Sequence, residues 1–289
     1  MDGPRTYLLM VQNNDELRAT GGFISAFGLI TMDQGKVTSA DFADSYTVFR
    51  NELPYPPAPA PMRRYMGIQL LTARDANWSP DLPTTAAVLR TLFERDTGVT
   101  IDGIITVDQG ALRHLLTALG PVTVAGVAEP VTADNVNDQM IKFWEQPGQF
   151  TDQSDDDWWL RRKDFMGVVA KELMTRLEAG DLPIRNLIAE LQAALVDRPS
   201  IMACRCRRPA ALAANGWDGA LHPAPGADFV AVVDANLGYN KVDAALQRSL
   251  DYSVTWPAGP AAPALAALTV TYTHTATTGR SCLRPAAIW

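Results

Sequence analysis

Two arginines set at strand-to-loop junctions are the residues of this chain best placed to do chemistry. They are Arg18 in Leu17-Arg18-Ala19-Thr20-Gly21-Gly22-Phe23 and Arg74 in Thr72-Ala73-Arg74-Asp75-Ala76-Asn77-Trp78-Ser79-Pro80-Asp81. A guanidinium is costly to desolvate, so beside a core it needs a bidentate anionic partner. That partner is either a carboxylate of the protein or a phosphate of a ligand. Gly21 and Gly22 let the backbone approach an anion closely, and Asp75 and Asn77 can fold the second loop back on itself as an Asx turn. If Arg74 instead pairs with Asp75 or Asp81, it holds only the shape of its loop, and the spacing leaves both readings open.

A third positive group, Arg161-Arg162-Lys163, opens the longest helical pattern, Trp158 to Glu178. Asp157 and Arg161 are four apart, an ion pair worth about 0.2–0.5 kcal/mol. Positive charge in a first helical turn opposes the macrodipole, so either the preceding acidic stretch Asp152 to Asp157 or a ligand has to offset it. Other chemistries find little support. His114, His222 and His274 fit no triad spacing, and Ser25, Ser45 and Ser79 lack a nucleophile elbow. No Walker loop, dinucleotide fingerprint or zinc ligand set occurs. Trp158-Trp159 suit core packing or the wall of an acyl-chain groove. Cys204, Cys206 and Cys282 allow one disulfide from Cys282 to either of the others, or three free thiols.

Composition narrows the class. Of the 289 residues 47% are hydrophobic and 20% charged, the balance of a packed globular protein, and the net charge is −7 with no Lys/Arg-dense block. That argues against a nucleic-acid partner. No apolar run reaches the ~18 residues of a membrane span, and Met1-Asp2-Gly3-Pro4 does not open a signal peptide. So abrupt a start fits an envelope protein whose anchor lies outside this sequence, and a cytosolic protein equally well.

The elements that must position the arginines alternate. Strands are expected at Tyr7 to Val11, at Phe23 to Thr31 and Lys36 to Phe42 as a hairpin about Asp33-Gln34-Gly35, at Ile68 to Leu71, at Ile101 to Val107, at Val122 to Val124 and around Ile201. Helices are expected at Thr84 to Arg95 behind Pro83, at Ala111 to Leu119 capped by Asp108, at Thr132 to Trp144, at Trp158 to Glu178 and at Ile184 to Val196. Pro54 to Pro61 should be an exposed, extended loop outside any ladder. This order predicts an α/β fold with a mixed central sheet flanked by helices over residues 5–225. Residues 226–289 then form a small β-rich C-terminal segment, with strands at Phe229 to Val233, Tyr252 to Trp256 and Leu265 to Tyr272 and a linking helix from Asn236 to Leu246.

On these residues the chain resembles the bacterial domain of unknown function 4012 family. The matching pieces are Gln12 to Phe23, Arg74 to Asp81, Gly120-Pro121-Val122 and Asp234-Ala235-Asn236-Leu237-Gly238. More distantly it resembles the LytR-CpsA-Psr family, which transfers glycopolymers from polyprenyl-pyrophosphate carriers to peptidoglycan. Arg18, Arg74-Asp75 and Arg161 stand where that family has its arginines. The resemblance implies an extracytoplasmic, membrane-anchored envelope protein that binds a lipid-linked phosphate or pyrophosphate. Arg18, Gly21, Gly22, Asn77, Arg161 and Arg162 would be substrate-binding, with Arg74 and Asp75 catalytic if the chain is a transferase. A non-catalytic lipid-phosphate or glycan-binding module is the alternative. The chain departs from that family where it holds magnesium: Thr20 and Asn13 or Asn14 stand in place of aspartates, and Trp158 replaces an arginine. Magnesium is therefore left open.

Overall fold

The computed structural model describes residues 3–124, 127–145, 164–179, 183–196, 200–204, 209–256 and 264–275. Strand β1 (Arg5–Asn13) buries Leu8, Met10 and Gln12 at alternate positions, the period of a strand with one face inward. β2 (Phe23–Asp33) and β3 (Lys36–Asp44) form the expected hairpin, in which Asp33 pairs with Lys36 across the two-residue turn Gln34-Gly35. Both turn residues have positive φ, 49° and 82°, the geometry that matches strand twist in tight hairpins.

Helix α1 (Leu82–Thr97) starts where Asp81 accepts a hydrogen bond from the Thr84 backbone N–H and ends at left-handed Gly98. It returns the chain to β4 (Gly103–Val107), which lies parallel to β1 from Tyr7–Gly103 to Val11–Val107. β5 (Ser200–Cys204) runs antiparallel to β4, giving the order β3-β2-β1-β4-β5, a mixed sheet flanked by helices. Leu82, Ala86, Leu89, Leu92 and Phe93 of α1 pack on Leu8, Met10, Ile24, Phe27 and Ile104 of the sheet. A second core gathers Leu116 of α2 (Gln109–Leu119), Val122, Val131, Val136 at the start of α3 (Val136–Glu145), and Phe165, Val169 and Leu173 of α4 (Asp164–Ala179). Helices α5 (Ile184–Val196) and α6 (Pro209–Ala214) precede a separate two-stranded antiparallel sheet, β6 (Leu246–Thr255) and β7 (Leu265–His274).

Five expectations need correction. The proline run is not an excluded, fully exposed loop. Ala58 N–H donates to the Gln69 carbonyl, Leu71 N–H donates to the Pro56 carbonyl, and Tyr55 and Ala58 are buried. Proline loses a donor but keeps its acceptor, and the residues between the prolines keep both. Ile68 to Leu71 and Val122 to Val124 accordingly shrink to single bridges, Pro57–Leu70 and Val122–Val131. Phe229 to Val233 forms no strand, and Asn236 to Leu246 is an irregular segment closing in a 3-10 turn, Val242–Ala245, before β6. Cys206, Cys282, Trp158, Trp159, Arg161 and Arg162 lie outside the described residues.

The parallel pairing matters most for function. It brings the carboxyl ends of β1 and β4 side by side, and in α/β sheets that edge is where ligands are received.

The proline run is held by Tyr55, whose hydroxyl donates to Asp96 Oδ2 at 2.9 Å and accepts from the Arg50 N–H at 3.0 Å. Tyr55→Phe leaves both groups unsatisfied, so chemical denaturation should show a loss of about 1–3 kcal/mol; a neutral substitution would mean that the run is anchored elsewhere.

Candidate functional site

The pairing of β1 with β2 slips between Val11 and Gln12, so the end of β1 turns out of regular register at the entrance to the first arginine loop. Gln12 Nε2 donates to Thr20 Oγ1 (2.8 Å) and to the Gly22 carbonyl (3.0 Å). Asn77 Nδ2, arriving from the other arginine loop, donates to the same two acceptors at 2.9 and 2.8 Å. Two buried amides thus bind the loops of Arg18 and Arg74 into one unit. Gly22 is required by that closeness: a Cβ there would lie 2.5 Å from the Asn13 carbonyl oxygen. Gly21 has φ +118° and spends its N–H on the Arg18 carbonyl at 2.8 Å. That N–H is not aimed at an outside anion.

The arginines themselves differ. Arg18 is a fastener, with a side chain only 2% exposed. Its Nη2 donates to Glu16 Oε1 at 3.0 Å, and its Nη1 donates to the Leu17 and Asn236 carbonyls at 3.1 and 2.6 Å. Arg74 is 29% exposed, while its partner Asp75 is 1% exposed. Its Nε donates to Asp75 Oδ2 at 3.0 Å, and its guanidinium lies 4.4 Å from the centre of the Tyr46 ring. The outer Nη1 and Nη2 atoms make no hydrogen bond among the described residues. Burial works against the charge of Arg74, but Asp75, and after it Tyr46, outweigh that and leave the pKa above the ordinary arginine value. The cation is braced from one edge and one face, and its other edge is presented.

A segment more than two hundred residues away completes the site. Asn236 N–H donates to the Leu17 carbonyl (2.8 Å), and Leu17 N–H donates to Asp243 Oδ2 (2.8 Å). Asn236 Nδ2 braces the same Asp243 oxygen at 2.7 Å. The Tyr239 hydroxyl donates to the Met66 carbonyl at 2.7 Å. Burial, and then the charge of Asp75, raise the Tyr239 pKa.

The end of β4 adds more amides and one carboxylate. Asp108 caps α2 by accepting from the Ala111 N–H, and its other oxygen accepts from Asn14 Nδ2 at 3.1 Å. Gln109 Nε2 donates to Asn13 Oδ1 and Asp15 Oδ2, and Gln109 Oε1 accepts from the Asn14 N–H. Magnesium prefers several anionic oxygens and water. Here Thr20 Oγ1 already accepts two amide hydrogen bonds, Glu16 and Asp75 are each bonded to an arginine, and among the described residues no three His, Cys, Asp or Glu side chains gather to hold a metal. These residues do not fit the ion.

Of the residues expected at the site, Arg18, Gly21, Gly22, Arg74, Asp75 and Asn77 meet in one place. Glu16, Gln12, Tyr46, Gln109, Asn236, Tyr239 and Asp243 join them without having been singled out for the site. Glu16 beside Arg18 and the buried polar Gln12 in an apolar strand were the available signals.

Residues 2–142 match the model of the family described as a protein of unknown function, DUF4012. No curated protein matches the sequence. Solved structures similar to it include gbs0355 from Streptococcus agalactiae, with 13% identity, 75% of this chain and 74% of that one covered, and a TM-score of 0.43. TagV from Bacillus subtilis has 11% identity, with 76% and 81% covered and a TM-score of 0.41. A structure of TagT bound to LI-WTA has 13% identity, with 76% of each chain covered and a TM-score of 0.34. Likeness at this level says nothing of what this chain binds.

Two measurements check the geometry. Gly22→Ala should lower stability by about 1–3 kcal/mol through the clash with β1, whereas Gly21→Ala, with open space around it, should cost only its strained φ, about 1 kcal/mol. Equal effects would refute the close approach. The second concerns Asp15, whose carboxyl sits above its ordinary value of 3.8, chiefly through burial. The folded chain then holds that proton more tightly than the unfolded one, so stability falls as pH rises from 3.8 through the raised value and then levels. Asp15→Asn keeps an acceptor for Gln109, and it should raise stability at pH 7 and flatten the decline; an unchanged pH profile would contradict the burial.

Proposed function

We propose that this chain is a cell-envelope protein that binds the phosphate or pyrophosphate head group of a polyprenyl-linked substrate at Arg74. The observation that carries the reading is the state of that guanidinium: fixed by Asp75 and Tyr46, half-exposed, and open along the edge that suits a bidentate oxyanion. Arg18 holds the loop from behind and does not touch the ligand in this arrangement. Asn77 and Gly22 keep the two loops in register, so the cation needs no reorganisation when an anion arrives.

The lipid chain would lie against the half-buried Ile68, Trp78, Leu237 and Tyr239, which pack on the buried Ala58, Met62 and Met66 and adjoin the site through the Tyr239–Met66 hydrogen bond. The resemblance of Gln12 to Phe23 and of Arg74 to Asp81 to envelope families supports an extracytoplasmic location and a glycan partner such as peptidoglycan. No helix among the described residues is long and apolar enough to cross a membrane. Binding is the reading the geometry favours over transfer, because Asp75 is almost sealed and committed to Arg74.

Farnesyl pyrophosphate, inorganic pyrophosphate and farnesol separate head-group from chain recognition. In calorimetry the wild-type protein should prefer the first. The double variant Arg74→Gln/Asp75→Asn leaves no stranded buried charge and should lose at least ten-fold in affinity, about 1.4 kcal/mol. Unchanged affinity rejects the site. Asp75→Asn alone should spare binding, and an Asp75→Asn protein that binds but no longer turns over a lipid-pyrophosphate substrate would establish transfer instead.

A further inference from the structure

We propose that the outer edge of β7 is a self-association surface whose partner is the β7 strand of a second copy of this chain. The two strands would run antiparallel about a two-fold axis and join two ribbons into one four-stranded sheet. The inference is independent of the reading of Arg74 and uses none of that site's residues.

Unpaired strand edges pair with other chains, so folded proteins guard them with charge, proline, bulges, short strands or a cover. The other edges in this chain are guarded. β3 bounds the five-stranded sheet on one side; it carries Lys36, Asp41 and Asp44, and its register with β2 shifts between Thr31 and Met32. β5 bounds the sheet on the other side and is only five residues long. β6 carries Arg248 and Asp251, and the segment from Asp228 to Asp234 is tied beside it by the Arg248–Asp234 ion pair and the Tyr252–Asp228 hydrogen bond. β7 has no such device. It runs for ten residues without Asp, Glu, Lys, Arg or Pro, and its register with β6 is unbroken from Leu265–Thr255 to His274–Leu246. Among the described residues no other strand pairs with it, and Thr269 to Thr273 are all strong strand formers.

A two-stranded ribbon is marginal in water, and stability comes with three or more strands that share an apolar face. Alternation gives this ribbon such a face. Leu250, Tyr252 and Val254 of β6 share it with Leu268, Val270 and Tyr272 of β7, while Ser249, Asp251 and Ser253 share the opposite face with Thr269, Thr271 and Thr273. Leu268 and Tyr272 remain 40% and 49% exposed, so the chain itself leaves the apolar face half-covered. Pairing β7 with its copy doubles the number of strands and carries that face across the axis.

Three properties favour a second copy over a foreign strand. An antiparallel strand on a two-fold axis is its own complement. With Val270 on the axis, Leu268 meets Tyr272 of the second copy and Thr269 meets Thr271 of the second copy, both favourable cross-strand pairs. Charge is the second property. Each chain carries a net charge of −7, and β7 is the strand along which two such chains can meet without opposing like charges. The nearest carboxylate on the polar face, Asp251, stands one strand back, and Asp234 is neutralised by Arg248 and bonded by the Tyr272 hydroxyl at 2.6 Å. The third is area: ten residues of edge bury less than the ~1,200 Å² of a standard interface, which suits a weak, concentration-dependent dimer.

Sedimentation equilibrium of the whole chain over a concentration series provides the test. The wild-type protein should show a monomer–dimer equilibrium with a dissociation constant of about 10–100 μM, and added salt should not weaken it, because no charge pair holds it. Thr269→Lys/Thr271→Lys sets like charges across the axis and should weaken the dimer about ten-fold or more. Thr269→Glu/Thr271→Glu should do the same by itself. An equimolar mixture of these two variants should associate again as a heterodimer, which also shows that both are folded. Ser249→Lys/Ser253→Lys, on the same face of β6, should leave the equilibrium unchanged. A wild-type chain that stays monomeric throughout the series overturns the proposal. So does association that ignores the β7 substitutions, is lost equally with those on β6, or grows past the dimer. A mixture of the oppositely charged variants that remains monomeric overturns it as well.

Discussion

A guanidinium that water hardly reaches must have its charge answered on the spot, and Arg18 is that group here. Stripping one member from a buried pair typically costs about 3–5 kcal/mol, so the fold has to deliver its partners reliably. It does so from three places: Glu16 two residues before, the Leu17 carbonyl next door, and the Asn236 carbonyl from the far end of the chain. The last of these pins the segment of Asn236 and Asp243 to the first loop, and that segment carries Tyr239, whose hydroxyl holds the Met66 carbonyl and which feels the charges of Asp75 and Arg74. Burying one arginine therefore arranges the surroundings of the other. Arg74 can stand half-open because Arg18 does not.

The local architecture was readable where a single residue type settles a backbone choice. Gln34-Gly35 between alternating runs specified the hairpin, and Asp81 and Asp108 before apolar periodic stretches specified the starts of α1 and α2. The alternation of strands and helices was enough to imply a mixed sheet. What could not be read were contacts between distant segments. Antiparallel pairing of β5 with β4 depends on where α5 leaves the chain, and the two bridges that replace expected strands depend on which loop happens to face them. The apolar run Phe229 to Val233 has strand-forming residues, yet its segment meets β6 through side chains, Arg248 to the Val232 carbonyl and Tyr252 to Asp228, and forms no ladder, so propensity alone did not make it a strand.

The candidate site was half legible for the same reason. Arg18 and Arg74 look alike in sequence, each an arginine between a strand and a polar loop. Depth separates them, and depth is set by Asn236, which no local pattern connects to Arg18. Gly22 was read as an opening for an anion, yet its lack of a Cβ serves a close approach of its own backbone to Asn13. Gln12 and Asn77 carry the join between the loops, and an amide in a strand or a turn gives no sign of whom it will bond.

Charge balance around the site bears directly on what it can receive. Arg18, Arg74 and Lys241 face Asp15, Glu16, Asp75, Asp108 and Asp243, so with every group ionised the neighbourhood carries two negative charges in excess. An incoming phosphate meets the edge of Arg74, but it also meets that excess. Asp15 and Glu16 relieve it, because burial holds both carboxyls above their ordinary values and makes each readier to take up a proton. An anion bound at Arg74 would raise them further, since a like charge nearby disfavours ionisation. Anion binding and proton uptake at this site are therefore linked in the same direction. The amides at Gln12, Asn77 and Gln109 contribute by being neutral: they fasten the loops without adding to a negative charge that a phosphate would have to overcome.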